Sequence, residues 1–215
     1  MQDAELVRRA AAFHPWDAMS PQALEAILAR GPFQATAETG CGGSTIILSH
    51  ASLRHTAFAI EGENRTISQL QAHPDLAPER VSFMEGATKL TLPAHKFDGE
   101  LDFVLLDGAH AYPLPQLELV YLLPRITLGG WLAIDDIQIP SVNELFRFLQ
   151  TKRTLVREEV ILRTAFFRRI GVEKDGPDGW TSQPMNRHTI LRYSWRDRLR
   201  KLMERGLPHH TSTVI

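Results

Sequence analysis

Apolar residues recur along the chain in short, nearly continuous runs: "QATAE", "TAFAI", "RVSFM", "LDFVLL" and "GWLAIDD". Runs of this length with little polar alternation predict strands buried on both faces. Most are separated by enough chain for a crossover helix, such as "SQLQAH" or "PQLELVYLLPRI". Strands that alternate with helices in this way predict a parallel sheet covered on both sides. Ahead of the first run, "SPQALEAILARG" offers Ser20 as N-cap, Pro21 at the first helical position, an Ala/Leu/Ile stripe, and Gly31 where a C-cap belongs. After Pro140 the pattern changes. "LVREEVI" and "AFFRRIG" predict two further strands linked tightly at Leu162–Thr164, an antiparallel pair at the sheet edge. Beyond Gly171, "VEKDGPDGW" is expected to be a polar loop. "SWRDRLRKLMERG" is expected to be a basic amphipathic helix, with Leu199, Leu202 and Met203 on one side, packed on the domain. No internal repeat or long low-complexity segment interrupts this order.

In such sheets ligands bind beyond the carboxyl ends of the strands, where Gly40, Glu61, Gly86, Asp107 and Asp135 all fall. The first of these ends carries "ETGCGGST", with Gly40, Gly42 and Gly43 between an apolar run and the helix-forming "IILSH". A glycine-rich turn from strand to helix lets backbone N–H groups approach a ligand, and the helix N-terminus favours a negative group. An ordinary tight turn would have the same composition. The neighbours change the balance: Glu61 lies 21 residues after Gly40, at the end of the next strand. At that distance an acidic side chain reaches the two hydroxyls of a bound ribose. A nucleoside-containing ligand is therefore expected. The dinucleotide fingerprint G-x-G-x-x-G is not met, because Thr45 occupies its sixth position, and an acidic residue, Glu38, stands two before the first glycine.

Composition narrows the classes further. At 215 residues the chain fits one large domain. A formal charge of -1 gives no general attraction to nucleic acid. Cys41 is the only cysteine, which excludes an intramolecular disulfide. The start "MQDAELVRRA" lacks the apolar core of a signal peptide, and no apolar run approaches the roughly 20 residues of a membrane span. A soluble, cytoplasmic protein without a membrane partner is expected.

The glycine-rich segment resembles motif I of class I S-adenosylmethionine-dependent methyltransferases, E/D-x-G-x-G-x-[GS], with Ser44 in the last place. The resemblance extends from about Gly31 to Gly171 and is greatest to metal-dependent O-methyltransferases of the catechol and caffeoyl-CoA type and to small sugar O-methyltransferases of antibiotic pathways. It implies an α/β, Rossmann-like doubly wound, mostly parallel sheet with an antiparallel edge pair near the C-terminal side. It also implies an N-terminal helical extension over 1–30, a cofactor-binding core over 31–171 and a C-terminal loop and basic helix over 172–215. Through "ETGCGGS", it places Glu38, Gly40, Cys41, Gly42 and Ser44 at the methionine end of S-adenosylmethionine. "AIEGE" presents Glu61 to the ribose, and "VSFMEGATKL" sets Gly86, Ala87, Thr88 and Lys89 around the adenine. In the family, the segments corresponding to "LDFVLLDGAHAY" and "GGWLAIDDIQIPSV" supply a divalent metal site, here Asp107, Asp135 and Asp136.

Three carboxylates at adjacent strand ends would repel unless a cation joined them, and oxygen ligands suit Mg²⁺ first, or Mn²⁺. The family usually has an acid–amide pair where this chain has "DD", which changes the charge of the site. The alternative is that Asp136 caps the following turn and Asp107 holds the cofactor without a metal. His110, three residues after Asp107 where catechol-type enzymes have a lysine, is the candidate general base. The acid that some sugar-modifying relatives carry one residue earlier is replaced by Ala109. Cys41 has no partners of a nucleophile and reads as packing beneath the cofactor. Tyr112 and Trp131 are candidates for the pocket wall or the core. The basic set that includes Arg157, Arg163 and Arg168 would suit an acidic acceptor or a solvated face. "DGAH" and "DDIQIP" do not resemble the Asn/Asp-Pro-Pro-aromatic motif of nucleic-acid amino-methyltransferases. The expected activity is methyl transfer to a small hydroxylated acceptor, with a homodimer as one possible assembly. A metal-free methyltransferase, a nicotinamide-dependent oxidoreductase and a non-catalytic nucleoside-binding module remain the rivals.

Overall fold

The structure, a computed structural model, describes residues 2–14, 18–62, 65–172, 186 and 200. The polar loop and basic helix expected beyond Gly171 lie, Val172, Asn186 and Arg200 apart, outside the described residues. One compact unit, Met1–Val172, contains all the elements considered below.

Two helices, α1 (Gln2–Ala11) and α2 (Pro21–Arg30), precede strand β1 (Phe33–Thr39). The chain then alternates: α3 (Gly43–Ala51), β2 (Ser52–Ala59), α4 (Thr66–Gln71), β3 (Val81–Glu85), α5 (Thr88–Ala94), β4 (Leu101–Leu106), α6 (Leu114–Leu122), β5 (Ile126–Ile134) and α7 (Pro140–Leu149). A hairpin, β6 (Leu155–Ile161) and β7 (Thr164–Arg169), completes the unit. The seven strands form one sheet in the order β3-β2-β1-β4-β5-β7-β6. The first five are parallel, while β7 runs antiparallel to both β5 and β6. This is the expected doubly wound architecture with its antiparallel edge pair.

The strand alternation divides the core in two. Phe103, Leu105, Ala133 and Phe166 face a layer built with α1, α2 and α3. Val104, Leu106, Leu132, Ile134 and Phe167 face the layer of α5, α6 and α7. Sheet and both layers exclude water together, so β4 and β5 are apolar at successive positions, whereas β1 alternates apolar residues with buried Thr36, Glu38 and Thr39. The switch in winding falls between β1 and β4, whose register pairs Thr39 with Leu106. Both strands end at that pair, and a switch point of this kind is where a doubly wound sheet accommodates a ligand.

Helix α2 begins as its sequence indicates: the Ser20 hydroxyl accepts the Ala23 N–H, and Pro21 occupies the first turn. Helix α1 buries Leu6, Val7 and Ala10 against α2 and α3. Its outer face is tied by Arg9, which makes two hydrogen bonds to Asp75 at 2.7 and 2.8 Å. The backbone of α1 also comes close to the start of α3, where a side chain on Gly43 would place its Cβ 2.3 Å from the Ala10 carbonyl oxygen. A Cβ on Gly42 would meet nothing within 4 Å. Among the described residues no helix is long and apolar enough to cross a membrane.

Two expectations follow for stability. Gly43→Ala should cost about 1–3 kcal/mol, because α1 must move away, whereas Gly42→Ala should stay within about 0.5 kcal/mol. Chemical denaturation of the two variants checks the contrast. The Arg9 hydrogen bonds hold the Asp75 carboxyl below its ordinary value of 3.8. A carboxyl lowered in the native state stabilises above its unfolded value, and that stabilisation is lost as pH falls through the native value. For a pair this exposed the contribution is about 0.2–1 kcal/mol. Asp75→Asn should therefore be slightly less stable than the parent at neutral pH and equal to it in strong acid.

Candidate active site at the carboxyl ends of the strands

A cavity of about 650 Å³ opens beyond the ends of β1, β2, β3 and β4. Gly40 and Cys41 line one wall, Gly86, Ala87 and Thr88 another, and Asp107, Gly108, His110 and Asp136 a third. Its apolar surface includes Phe58, Ile60, Leu114 and Ile139. These last four, with Ala59 and Thr66, carried no motif and were not found from sequence.

The glycine-rich turn is held from below. Glu38, fully buried at the end of β1, accepts hydrogen bonds from the Ser44 hydroxyl at 2.7 Å and from the Thr45 hydroxyl. His55 Nε2, from β2, lies 3.0 Å from the same carboxylate, and its Nδ1 lies 2.8 Å from the Thr36 hydroxyl. Thr45 in turn accepts the Gly42 N–H at 2.9 Å, and the Gly40 N–H bonds to the Phe58 carbonyl. Glu38 and Ser44, expected against the ligand, are instead turned toward each other beneath the turn. Gly42 also lies outside the cavity wall. Two of the three glycines are required by the protein's own backbone. Gly40 has φ +84°, and a Cβ there would lie 2.2 Å from the Asp107 carbonyl oxygen; Gly43 meets α1.

Glu61 stands just beyond β2 but outside the cavity lining. Its carboxylate accepts the Ile67 N–H at 2.8 Å, the Ser68 N–H at 3.2 Å and the Ser68 hydroxyl. The Ser68 hydroxyl, foremost among these, lowers its pKa. Cys41 does line the cavity. Burial, helped by the charges of Glu38 and Glu61, pushes its thiol up to about 12, so it remains a protonated, unreactive group.

The acidic strand ends are arranged differently from the expected aspartate triad. Ligating atoms of Asp107, His110 and Asp136 all lie within 4.8 Å of one another. Asp135 does not join them: it is 1% exposed, accepts the Thr164 hydroxyl at 2.5 Å and faces Arg163 at 3.7 Å. The reason is geometric, since adjacent residues leaving a strand point to opposite sides. Asp136 then adopts φ +55°, a left-handed conformation that aspartate tolerates better than most residues. Gln138 Nε2 donates to its Oδ1 at 2.8 Å, and Arg163 Nε forms an ion pair with the same oxygen at 3.1 Å.

His110 takes the remaining place. Its Nε2 lies 3.7 Å from Asp107 and 3.6 Å from Asp136, and this buried atom has no hydrogen-bond partner among the described residues. Its ring is approached by two carboxylates without being bonded to either. Asp107 chiefly, then Asp136 and Asp135, raise its pKa against the opposing effect of burial. Burial pushes the Asp107 carboxyl up to about 7. The Asp107 backbone N–H is fixed by the carbonyl and hydroxyl of Thr39.

One further group lies behind this wall. Glu118 of α6 is 1% exposed and accepts the Thr39 hydroxyl at 2.8 Å and the Thr88 hydroxyl at 2.7 Å. Its signal in the sequence was a lone acid within the apolar segment "LPQLELVYL". Trp131 is remote from the cavity lining, stacked on the guanidinium groups of Arg30 and Arg168 at 4.6 and 5.0 Å. Tyr112 is exposed and does not line the cavity.

Several solved structures share this fold. The O-methyltransferase TomG from Streptomyces achromogenes, involved in tomaymycin synthesis and solved in complex with S-adenosylmethionine (SAM), superposes with a TM-score of 0.61 at 15% identity, covering 78% of this chain and 90% of its own. An O-methyltransferase from Bacillus cereus in complex with S-adenosylhomocysteine (SAH) gives 0.60 at 12% identity, covering 80% and 91%. SAH-bound PaMTH1 from Podospora anserina, a methyltransferase, gives 0.60 at 12%, covering 79% and 88%. At such identities the likeness is one of fold. Among curated proteins none matches this sequence. A family model for a methyltransferase domain matches residues 37–137. That segment runs from β1 to the turn after β5 and includes the glycine-rich turn, Glu61, the Gly86–Thr88 loop and the acidic strand ends; over it the chain is similar to a methyltransferase domain.

Proposed function

We propose that the chain methylates a hydroxyl group of a small acceptor and that a divalent cation held by Asp107, His110 and Asp136 assists the transfer. The observation that carries this reading is the grouping of those three side chains on the cavity wall, with the His110 Nε2 buried between two carboxylates and bonded to neither. Such an orphaned nitrogen, facing two oxygen donors, fits a cation better than it fits the protein alone. An imidazole among the ligands moves the preference from Mg²⁺ toward Mn²⁺. A cation there would lower the pKa of a bound acceptor hydroxyl. The fold shared with O-methyltransferases supports the same class of acceptor.

The chain's own residues supply position and exclusion of water. The turn at Gly40 and Cys41 and the segment Gly86–Thr88 face each other across the cavity and would enclose the cofactor between them. Ile60 and Leu114 give it apolar contact. Glu61 can reach a ribose only by giving up its bonds to Ile67 and Ser68, so its two tasks compete. We assign the catalytic core to 31–171 and leave acceptor selection to the segments around it.

A second reading, without a cation, makes His110 the general base. The two carboxylates that raise its pKa strengthen it as a proton acceptor and stabilise the imidazolium that results.

Methyl transfer from labelled SAM to a panel of hydroxylated acceptors tests the proposal. Excess chelator should abolish turnover, and Mn²⁺ or Mg²⁺ should restore it; full activity in chelator would leave the metal-free reading. Asp136→Ala should behave as the chelated enzyme does. His110→Ala should weaken Mn²⁺ binding in a paramagnetic-resonance titration. Intact Mn²⁺ affinity with transfer slowed by about 10²–10⁴-fold would instead identify His110 as the base.

A further inference from the structure

Glu118 is a buried carboxylate that the proposed chemistry does not use. Its two bonded partners, the hydroxyls of Thr39 and Thr88, are neutral. The Thr39 hydroxyl also accepts the Asp107 N–H, so its own proton is available to Glu118. No arginine or lysine among the described residues bonds to Glu118. Among the described residues, the charge of His110 acts on it, and that ring already faces Asp107 and Asp136. Burial pushes the Glu118 carboxyl up, against the pull of its two hydroxyl partners. Burial thus favours the uncharged acid, and a cation brought alongside would favour the carboxylate.

The location indicates where that cation would lie. A Cβ built on Gly108, which lines the cavity, would lie 2.9 Å from the Glu118 Oε1, so the carboxylate sits directly behind the Gly108 backbone. Thr88, its other partner, lines the same cavity. Lys89, which also lines the cavity, is exposed. Asp107 and Asp136 add further negative charge to the wall.

We infer that Glu118 is an electrostatic positioning residue: through the Gly108 wall, its charge favours the cationic sulfonium form of the cofactor over the neutral thioether left after transfer. This rests on the methyltransferase reading of the site. In the reaction the S–CH₃ bond breaks as the O–CH₃ bond forms, and the sulfonium takes up the bonding electron pair and becomes neutral. The attraction of Glu118 for the ligand disappears at that moment, which assists product release.

SAM and SAH differ only in the methyl group and its charge, so a change that merely distorts the pocket alters both affinities alike and cancels in their ratio. Calorimetric titration of both ligands into the wild-type protein and Glu118→Gln therefore isolates the charge. The variant should bind SAM about tenfold more weakly, as expected for one charge pair acting through several ångströms of partly solvated protein, with SAH little changed. Glu118→Asp keeps the charge and should retain the wild-type ratio even where both affinities fall. Should the glutamine variant fail to fold, Thr88→Val, which strips one donor from the carboxylate, should shift the ratio in the same direction. A parallel loss for both ligands, or an unchanged SAM affinity, would overturn the inference and leave Glu118 a strut between β1 and α5. Binding of neither ligand to the wild type would instead remove the cofactor reading on which the inference depends.

Discussion

The buried carboxylate of Glu38 is the interaction on which the site depends. It receives the hydroxyls of Ser44 and Thr45 from the first turn of α3 and faces the ring of His55 on β2. Three elements, β1, α3 and β2, are thereby fixed to one point beneath the glycine-rich turn. Thr45 passes the constraint on to the Gly42 N–H, and the Gly40 N–H is fixed separately by the Phe58 carbonyl. Hydrogen bonds in such a dry setting are strong, and losing one would leave its partner unsatisfied. The turn is thus held in place by bonds made inside the protein.

This arrangement explains what the amino-acid sequence revealed and what it concealed. The strands were legible because a doubly covered sheet demands apolar runs, and the α2 boundaries because Ser20 and Gly31 are chemically suited to helix ends. The hairpin of β6 and β7 was legible through its two runs and short link. The ends of the strands located the cavity. The direction of individual side chains was harder to read. Glu38 and Ser44 have the spacing of a ligand-binding turn, yet the acid faces inward, because a residue at the end of β1 can point to either side of the sheet. Asp135 and Asp136 are adjacent, and only the left-handed backbone at Asp136 and the Thr164 hydroxyl beside Asp135 decide which of them meets the cavity. His110 was singled out by its spacing from Asp107, but its place between Asp107 and Asp136 required the fold. Glu118 lay in plain view as an acid on an apolar helix face, with no sequence neighbour to explain it.

The same logic accounts for the glycines. Gly40 lies against the Asp107 carbonyl and Gly43 against the Ala10 carbonyl, so the absence of side chains there serves the packing of β4 and α1 as well as ligand approach. Close packing of the turn brings the ends of β1 and β4 together, and that juxtaposition carries Asp107, Gly108 and His110 to the cavity wall. Structural and chemical demands coincide at the switch point of the sheet, where a doubly wound fold leaves room for a ligand.

The central claim is that this internally braced turn and the adjoining acidic wall form a site for a cationic nucleoside cofactor and not for a dinucleotide. Calorimetric titration of the intact chain with SAM and, separately, with NAD tests it most directly. The account predicts saturable binding of SAM at one site per chain and no binding of NAD; saturable binding of NAD, or failure to bind SAM, would contradict it.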